Sequence, residues 1–235
     1  EIVRQEESEE GAVGLKAILT KKWLLRIVLV GIGVSMTQQL TGINSIMFYG
    51  TELLKTAGFG SDVAIVANIG NGVLSVTGMM IGLKVISRFP RRTMIKFGLA
   101  SVAILHLLIA LLAAVLPEGT FKAVVIMIVV VTFVGIMQAC LGLVIWVVLS
   151  ELFPLKARGA AMGFSVFWMW IANGTVALTF PTLLDNLHIN GTFLLFGIVN
   201  VLSFIFVNRY LPETGSLSLE ELEEKFETEG VKVEH

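Results

Sequence analysis

Long apolar segments alternate with short charged segments along this chain. Six stretches of 21 to 28 residues contain no Asp, Glu, Lys or Arg: 27–51, 63–83, 97–117, 123–150, 159–184 and 186–208. An α-helix needs about 20 apolar residues to cross the roughly 30 Å hydrocarbon core of a membrane. The pattern therefore predicts an all-α membrane protein with six transmembrane helices, at about 24–46, 63–86, 94–116, 121–149, 159–182 and 190–211.

The composition agrees with this prediction. Hydrophobic residues make up 55% of the 235 residues and charged residues only 15%, and the mean hydropathy is +0.86. About a quarter of the residues of a typical soluble domain are charged. The polar ends predict a cytoplasmic linker at 1–22 and a cytoplasmic tail at 212–235, on either side of a transmembrane bundle at 23–211. With a net charge of −1 and no large basic patch, the chain is not expected to bind nucleic acid.

The distribution of basic residues predicts the orientation in the membrane. Of the 17 Lys and Arg residues, only Lys55 and Lys122 fall in the loops on one side of the predicted bundle. The other 15 fall in the terminal segments and in the loops on the opposite side. Because Lys and Arg are enriched in cytoplasmic loops, we expect a multi-pass protein of the cell membrane with both termini in the cytoplasm.

Catalytic and metal-binding signatures are missing from the sequence. There is no HExxH, GxSxG or phosphate-loop motif, no Cys/His cluster, and only one cysteine, Cys140. The sequence therefore predicts neither an enzyme nor a bound metal or cofactor. His106 is a lone histidine in the third span, which leaves two interpretations: a hydrogen-bonded structural residue, or a participant in a proton step.

Polar side chains occur inside spans that otherwise suit lipid. The set includes Gln38, Gln39, Asn44, Ser75, Gln138 and Asn173, and also Thr41, Ser45, Asn68, Asn71 and Thr175. An amide without a partner in hydrocarbon costs on the order of 4–8 kcal/mol, so each must face another helix or a watery cavity. One interpretation is hydrogen bonding between helices, worth about 0.6–2 kcal/mol per bond. The presence of amides on several spans favours a shared polar site instead.

The first span predicts an interrupted helix. On a straight helix Gln39 and Asn44 would point about 140° apart, at roughly 100° per residue. Gly42 lies between them, and membrane helices can unwind where they line a cavity. We therefore expect a break near residues 42–43 that brings both amides to one site, as in the discontinuous helices of transporters.

The chemistry of these side chains suits an uncharged, hydroxyl-rich solute. Asn and Gln both donate and accept hydrogen bonds, so they can bridge the hydroxyls of a sugar or polyol. Trp146 and Trp170 could stack on the apolar face of a sugar ring. The alternative for both indoles is simple packing, or a place in the aromatic belt at the membrane interface.

Several motifs resemble those of the sugar porters of the major facilitator superfamily. The run QQLTGIN at 38–44, followed by Phe48 and Tyr49, resembles the seventh-helix signature of that family. Other runs that are similar to family motifs follow in order: RFPRR at 88–92, Trp146 with SELFP at 150–154, WIAN at 170–173 and PET at 212–214. The resemblance extends over about residues 20–225.

This resemblance implies a fold and a set of site residues. The fold would be one half of a major facilitator superfamily fold, the C-terminal six helices of a twelve-helix transporter similar to bacterial inositol and hexose symporters. Its partners would be membrane lipid, a sugar or polyol ligand and a missing N-terminal six-helix half. The implied substrate-binding positions are Gln38, Gln39, Asn44, Trp146 and Asn173, to which the polar pattern adds Ser75, Gln138 and Trp170. The implied gating positions are Tyr49, Gly42 and the charged residues Arg91, Arg92, Glu151 and Arg158.

The chain also departs from the family pattern. Ser75 stands where the family has a sugar-binding Asn, and Leu143 and Ile145 replace prolines of the tenth helix. Without those prolines we expect a straighter helix and a stiffer hinge. The leading hypothesis is transport of a hexose, pentose or inositol by alternating access, proton-coupled in the full-length protein. The alternatives are a transporter-like sugar sensor and a truncated half without independent transport.

Overall fold

The structure, a computed structural model, describes residues 21–56, 60–155 and 157–214, and every regular element in these ranges is helical. Most of the predicted linker 1–22 and of the predicted tail 212–235 lies outside the described residues. The helices are α1 (Lys22–Leu40), α2 (Ile43–Thr56), α3 (Ser61–Val85), α4 (Arg91–Val115), α5 (Thr120–Met137), α6 (Val144–Leu152) and α7 (Arg158–Tyr210). A π-helical turn, Gln138–Gly142, joins α5 to α6.

Several of these helices are long and apolar enough to cross a membrane. Four such rods are found in the described residues: Lys22–Lys55, Arg91–Val115, Thr120–Leu152 and Arg158–Tyr210. A shorter apolar segment, Ile69–Val85, lies within α3. Together they identify an all-helical, multi-pass membrane protein. The first rod continues about ten residues beyond the predicted end of the first span at residue 46.

The longest helix, α7, contains one non-helical residue. His188 has φ 55° and ψ −174°, and it falls between the predicted fifth and sixth spans. A positive φ in a residue other than glycine is uncommon and marks a sharp change of direction. Below we call the parts of α7 before and after His188 its first and second halves.

Helix α7 makes its most extensive contacts with α4 and α1. Ser35 in α1 donates a hydrogen bond to the Ser165 carbonyl in the first half of α7, at 3.0 Å. In the second half, Phe193 is fully buried and contacts the buried ring of His106 in α4. Both halves of α7 thus pack on helices from earlier in the chain.

The segment from α5 to α6 is not a regular helix. Although Leu143 and Ile145 stand in place of prolines, the π-helical turn Gln138–Gly142 interrupts the α-helical geometry immediately before them. A π-turn widens the helix by one residue and breaks the α-helical hydrogen-bond pattern locally. The expected straighter helix and stiffer hinge stay predictions, but the helix is not regular here, because proline is only one of several causes of irregularity in a helix.

Candidate polar solute site

The predicted break lies at the junction of α1 and α2. Helix α1 ends at Leu40, α2 begins at Ile43, and Gly42 between them has φ +75°. That conformation is disfavoured for any residue with a Cβ. A Cβ at Gly42 would also lie 3.0 Å from the ring of Phe196. The structure therefore confirms the break, and both backbone conformation and space explain why a glycine stands there.

Three side-chain amides meet beside this break. Asn44 Nδ2 donates to Gln39 Oε1 at 2.8 Å and to Asn173 Oδ1 at 2.8 Å. Gln39 and Asn173 are buried, with 6% and 7% of their surface exposed, and Asn44 is half-buried. We call Gln39, Asn44 and Asn173 the amide cluster. It joins α1, α2 and the first half of α7, so the expected convergence of these three residues is observed.

The hydrogen bonds within the amide cluster leave a defined set of groups for a ligand. Asn44 uses both protons of its nitrogen inside the cluster, so its oxygen remains as an acceptor. The side-chain nitrogens of Gln39 and Asn173 donate to no other described residue, and each can offer two protons. The cluster itself carries no charged side chain. Neutral donors and an acceptor at one place are what a hydroxyl-rich, uncharged molecule requires.

Gln38 contacts the π-helical turn rather than the amide cluster. Its Nε2 donates to the carbonyl of Gly142 at 2.9 Å, and the side chain is 7% exposed. The π-turn breaks the α-helical hydrogen-bond pattern locally, and Gln38 supplies the Gly142 carbonyl with a side-chain donor. Gln38 thus ties α1 to the π-turn and keeps one N–H and its oxygen for other partners.

Ser75 and Gln138, two further predicted site residues, hydrogen bond to each other. Gln138 Nε2 donates to Ser75 Oγ, which connects the π-turn to α3. The two helices approach closely at this point. A Cβ at Gly78 would lie 2.6 Å from the Gly135 carbonyl oxygen, and one at Gly82 would lie 2.5 Å from that of Ala139. Ser75 and Gln138 therefore form an interhelical bond, the alternative left open for polar residues in the spans.

The two predicted tryptophans lie on the surface of the bundle. Trp146 is 36% exposed and Trp170 is 56% exposed. Neither indole makes a hydrogen bond within the part of the chain that the structure describes. The structure does not bring either residue into the amide cluster, and their role as substrate contacts stays a prediction.

Tyr49, the predicted outer-gate residue, belongs to an aromatic row next to the break. Its ring stacks on Phe180 at a centroid distance of 5.6 Å, and Phe180 lies 6.2 Å from Phe196. Phe196 is the residue that faces Gly42. The row connects α2 to both halves of α7 and ends at the residue next to Gly42, and the gating role of Tyr49 stays a prediction.

Charged residues gather at one end of the bundle, where α4 begins. Arg91 pairs with Glu151 at 3.2 Å, and Thr214 Oγ1 donates to the other oxygen of Glu151 at 2.7 Å. Glu213 accepts hydrogen bonds from the backbone N–H groups of Arg91 at 2.9 Å and Arg92 at 3.1 Å. We call these five residues the arginine cluster.

The carboxylate of Glu213 acts as an N-terminal cap for α4. Residue 90 is a proline, whose side chain cannot accept a hydrogen bond, and α4 has no acidic residue in its first turn. A carboxylate near the unpaired N–H groups of a helix start is favourable. Sequence reasoning assigned no role to Glu213 or Thr214, although the PET run at 212–214 was recognised as a motif and was the available signal.

The other predicted basic gating residues make backbone contacts. The guanidinium of Arg92 donates to the Asn208 carbonyl at 2.6 Å, which joins α4 to the end of α7. Arg158 Nε donates to the Phe153 carbonyl at 3.3 Å. In the described ranges Arg158 forms no salt bridge with Glu151, whose ionic partner is Arg91.

His106 lies behind the break and outside the amide cluster. It is 1% exposed, and its ring lies 4.6 Å from that of Phe133 and 3.4 Å (Nδ1) from Asn200 Nδ2. A hydrogen-bonded histidine in an aromatic environment agrees with the structural interpretation of this residue. No group of three or more His, Cys, Asp or Glu that could hold a metal occurs in the described part of the chain.

A multi-pass helical bundle with a neutral polar cluster at a helix break defines a class of membrane transport proteins, and comparison with known proteins identifies the family. Residues 1–226 match the family described as "Sugar (and other) transporter". The chain is 42% identical over 208 residues to the major myo-inositol transporter IolT of Bacillus subtilis, covering 88% of this chain and 44% of that relative. It is 35% identical over 210 residues to the glucose transporter GlcP of Staphylococcus epidermidis, covering 88% and 46%.

Solved structures agree. The proton:xylose symporter XylE bound to 6-bromo-6-deoxy-D-glucose gives a TM-score of 0.73 at 29% identity, covering 85% of this chain and 42% of that one. The inward-open xylose transporter XylE from E. coli gives 0.71 at 26% identity, covering 95% and 46%. The chain therefore belongs to the sugar transporter family of the major facilitator superfamily. Its relatives are transporters rather than enzymes, and it spans about half the length of the curated relatives it matches.

Proposed function

We propose that this chain is one half of a sugar or polyol transporter and that its amide cluster binds the solute. The observation that carries the proposal is the amide cluster itself, three neutral side chains from three helices beside a helix break. A charged solute would need an opposite charge, and the cluster contains none. A hexose, a pentose or an inositol fits this chemistry, in keeping with the inositol and glucose transporters among the relatives.

The proposed half contains six membrane crossings. Four helical rods are long enough, and the apolar segment Ile69–Val85 lies in a 25-residue helix that adds a fifth. Helix α7, with 53 residues, is about 80 Å long at 1.5 Å per residue. That exceeds twice the thickness of the hydrocarbon core. His188 therefore divides it into two crossings, which makes six, and both termini face the cytoplasm by the distribution of Lys and Arg.

A second six-helix half would complete the site. Trp146 and Trp170 are exposed here although both are large and apolar, so a facing bundle or lipid must cover them in a membrane. The solute would then lie between the two halves, with Trp146 and Trp170 closing over it. Alternating access would follow from rocking of one half against the other around the amide cluster.

The gating residues fit this motion. The arginine cluster would hold the cytoplasmic side closed in the outward-facing state, and Tyr49 with Gly42 would gate the outer side. Ion pairs at the membrane edge can break and re-form as the halves move, so they bias the equilibrium between two conformations. Proton coupling would be supplied by the other half, since no Asp or Glu lies mid-span here.

The alternative of a sugar sensor rests on the replacement of two prolines by Leu143 and Ile145. The π-helical turn Gln138–Gly142 weakens that alternative, because it supplies an irregular point at the same place. Uptake separates the two functions. We expect the full-length protein in vesicles to take up radiolabelled myo-inositol, D-glucose or D-xylose and to exchange it in counterflow. Binding of these solutes without counterflow would favour the sensor, and no binding of any of them would contradict both.

A further inference from the structure

The break between α1 and α2 leaves several backbone carbonyls without their helical partners, and that of Leu40 is one of them. In a continuous helix the Leu40 carbonyl would accept a hydrogen bond from the backbone N–H of Asn44. At the break, the Gln39 carbonyl accepts from the Gly42 N–H at 3.0 Å, a tighter turn that satisfies it locally. No backbone N–H among the described residues donates to the partly buried Leu40 carbonyl, so it needs a donor from elsewhere.

Asn200, in the second half of α7, supplies that donor. It is fully buried, and its Nδ2 donates to the Leu40 carbonyl at 3.4 Å and to the Phe196 carbonyl at 2.8 Å. Both partners are acceptors only, so the nitrogen of the amide, and not its oxygen, must face them. The orientation of the side chain is therefore fixed by two carbonyls, one of which belongs to the break.

The other groups around Asn200 strengthen this arrangement. His106 packs beside this amide: its Nδ1 lies 3.4 Å from the same nitrogen, whose two protons point to the two carbonyls, and its ring contacts Phe133 and Phe193. The buried Oδ1 of Asn200 has no hydrogen-bond partner among the described residues. Only the nitrogen of this amide is hydrogen-bonded, so the contact that the side chain makes with the break comes from its nitrogen.

The same face of α7 also contacts the glycine of the break. Phe196 lies one turn before Asn200, and its ring would be 3.0 Å from a Cβ at Gly42. One helix face thus touches the last residue of α1 through Asn200 and the connecting glycine through Phe196. The two amides that must meet, Gln39 and Asn44, stand immediately on either side of these contacts.

We propose that Asn200, backed by His106, is a positioning residue for the amide cluster. It holds the Leu40 carbonyl so that α1 ends and α2 begins at the angle at which Gln39 and Asn44 meet. Asn200 forms no hydrogen bond with the cluster, so it acts through the backbone. The inference rests on the proposed function for its ligand-binding consequence, but the positioning itself can be tested without a ligand.

The test compares Asn200→Ala with Ser203→Ala in the full-length protein. Ser203 is a matched control: it is buried on the same helix, and its hydroxyl bonds only to the Val199 carbonyl of its own helix. Amide hydrogen exchange of the unliganded protein is measured for peptides covering residues 38–48. We expect exchange in this segment to be at least several-fold faster in Asn200→Ala, with other core peptides and the Ser203→Ala protein unchanged.

Ligand binding gives the second readout. For myo-inositol, with D-glucose and D-xylose measured alongside, we expect Asn200→Ala to bind about tenfold more weakly, about the effect of one hydrogen bond. In the double variant with Gln39→Ala, the losses of binding free energy should be less than additive. Once the Gln39 amide has been removed, losing its positioning by Asn200 can have no further effect on it. His106→Phe, which keeps an aromatic ring and removes the ring nitrogen beside Asn200, should give a smaller loss of the same kind, and it serves if Asn200→Ala does not fold.

Three results would overturn the inference. They are unchanged exchange at residues 38–48, a uniform increase of exchange over all core peptides, and strictly additive losses with Gln39→Ala. If the wild-type protein binds none of the three solutes while the exchange at 38–48 responds as expected, the proposed function fails and the positioning role of Asn200 stands.

Discussion

The amide cluster and the arginine cluster both link helices, but the side chains that do so differ in charge and in exposure to water. Each connects helices from distant parts of the chain, the first near the helix break and the second at the start of α4. The amide cluster consists of neutral groups, two of them nearly excluded from water. In the arginine cluster the paired side chains of Arg91 and Glu151 are each 27% exposed, and water reaches the ion pair.

Under the proposed function, this difference assigns solute binding to the amide cluster and control of conformation to the arginine cluster. An amide can exchange a protein partner for a ligand hydroxyl without leaving an uncompensated charge, so a neutral cluster suits reversible binding. A partly exposed ion pair is worth only about 0–1 kcal/mol, so it can break during each cycle. Substitutions in the amide cluster should therefore change affinity, and substitutions in the arginine cluster should change rate.

The largest effect is expected from Asn44→Ala. It removes the central amide and leaves Gln39 Oε1 and Asn173 Oδ1 without their donor. Losing the ligand contact of Asn44 and the hydrogen bonds that orient Gln39 and Asn173 in the site should weaken myo-inositol binding roughly 100-fold. Equilibrium binding to the full-length protein measures this. Asn186→Ala is the control, since that exposed amide bonds only to a carbonyl of its own helix, and equal losses in both variants would contradict the role of the cluster.

The next effect is expected from Gly42→Ala. A side chain at φ +75° costs about 1–2 kcal/mol, and the added methyl group would press on Phe196. We expect about a tenfold loss of affinity and a lower melting temperature in detergent. Gly72→Ala is the matched control, because a Cβ there meets open space inside a helix and should be neutral or slightly stabilising. A Gly42→Ala protein with wild-type binding would show that the angle of the break is unimportant.

A smaller effect, and of a different kind, is expected from Glu151→Gln. Losing the charge weakens the contact with Arg91, so the maximal uptake rate should change several-fold while the dissociation constant stays within about twofold. Uptake and equilibrium binding are measured on the same preparation. Glu52→Gln, at an exposed pair with Lys55, serves as the control. A large loss of affinity without a change in rate would reverse the assignment of roles to the two clusters.

The smallest effect is expected from Ser75→Ala. It removes the hydroxyl that Gln138 contacts, which should lower the free energy of unfolding by about 1 kcal/mol and change myo-inositol affinity less than threefold. Thr77→Ala, on the exposed side of the same helix, is the control. Loss of binding in Ser75→Ala alone would mean that Ser75 contacts the solute directly, as the pattern of polar residues in the spans predicted.

Much of the fold and part of the site could be predicted from the sequence. Helices and their approximate bounds follow from the length of charge-free stretches, since hydrocarbon tolerates few charges. The meeting of Gln39 and Asn44 followed from helical angles and one glycine. The partner of Asn44 in α7 was implied only by family resemblance, because no local spacing relates residues 129 positions apart.

Other features depended on tertiary contacts that the sequence does not encode locally. Gln38 and Gln138 resemble the other amides in type and depth, yet they bind a backbone carbonyl and a hydroxyl of neighbouring helices. The π-helical turn to which both contacts are made contains no proline, so there is no local sign of it in the sequence. Asn200 was not predicted for the same reason, since its proposed role depends on the Leu40 carbonyl, which lies 160 positions earlier in the chain.

The cap that Glu213 provides for α4 limits where the chain can be truncated after its last described helix. Truncation after Leu211, one residue past the end of α7, would remove no apolar span. It would remove the Glu213 carboxylate that caps the N-terminus of α4, and it would remove the hydrogen bond from Thr214 to Glu151. Purified versions intended for biophysical work should retain residues through Thr214, and affinity tags belong beyond that point.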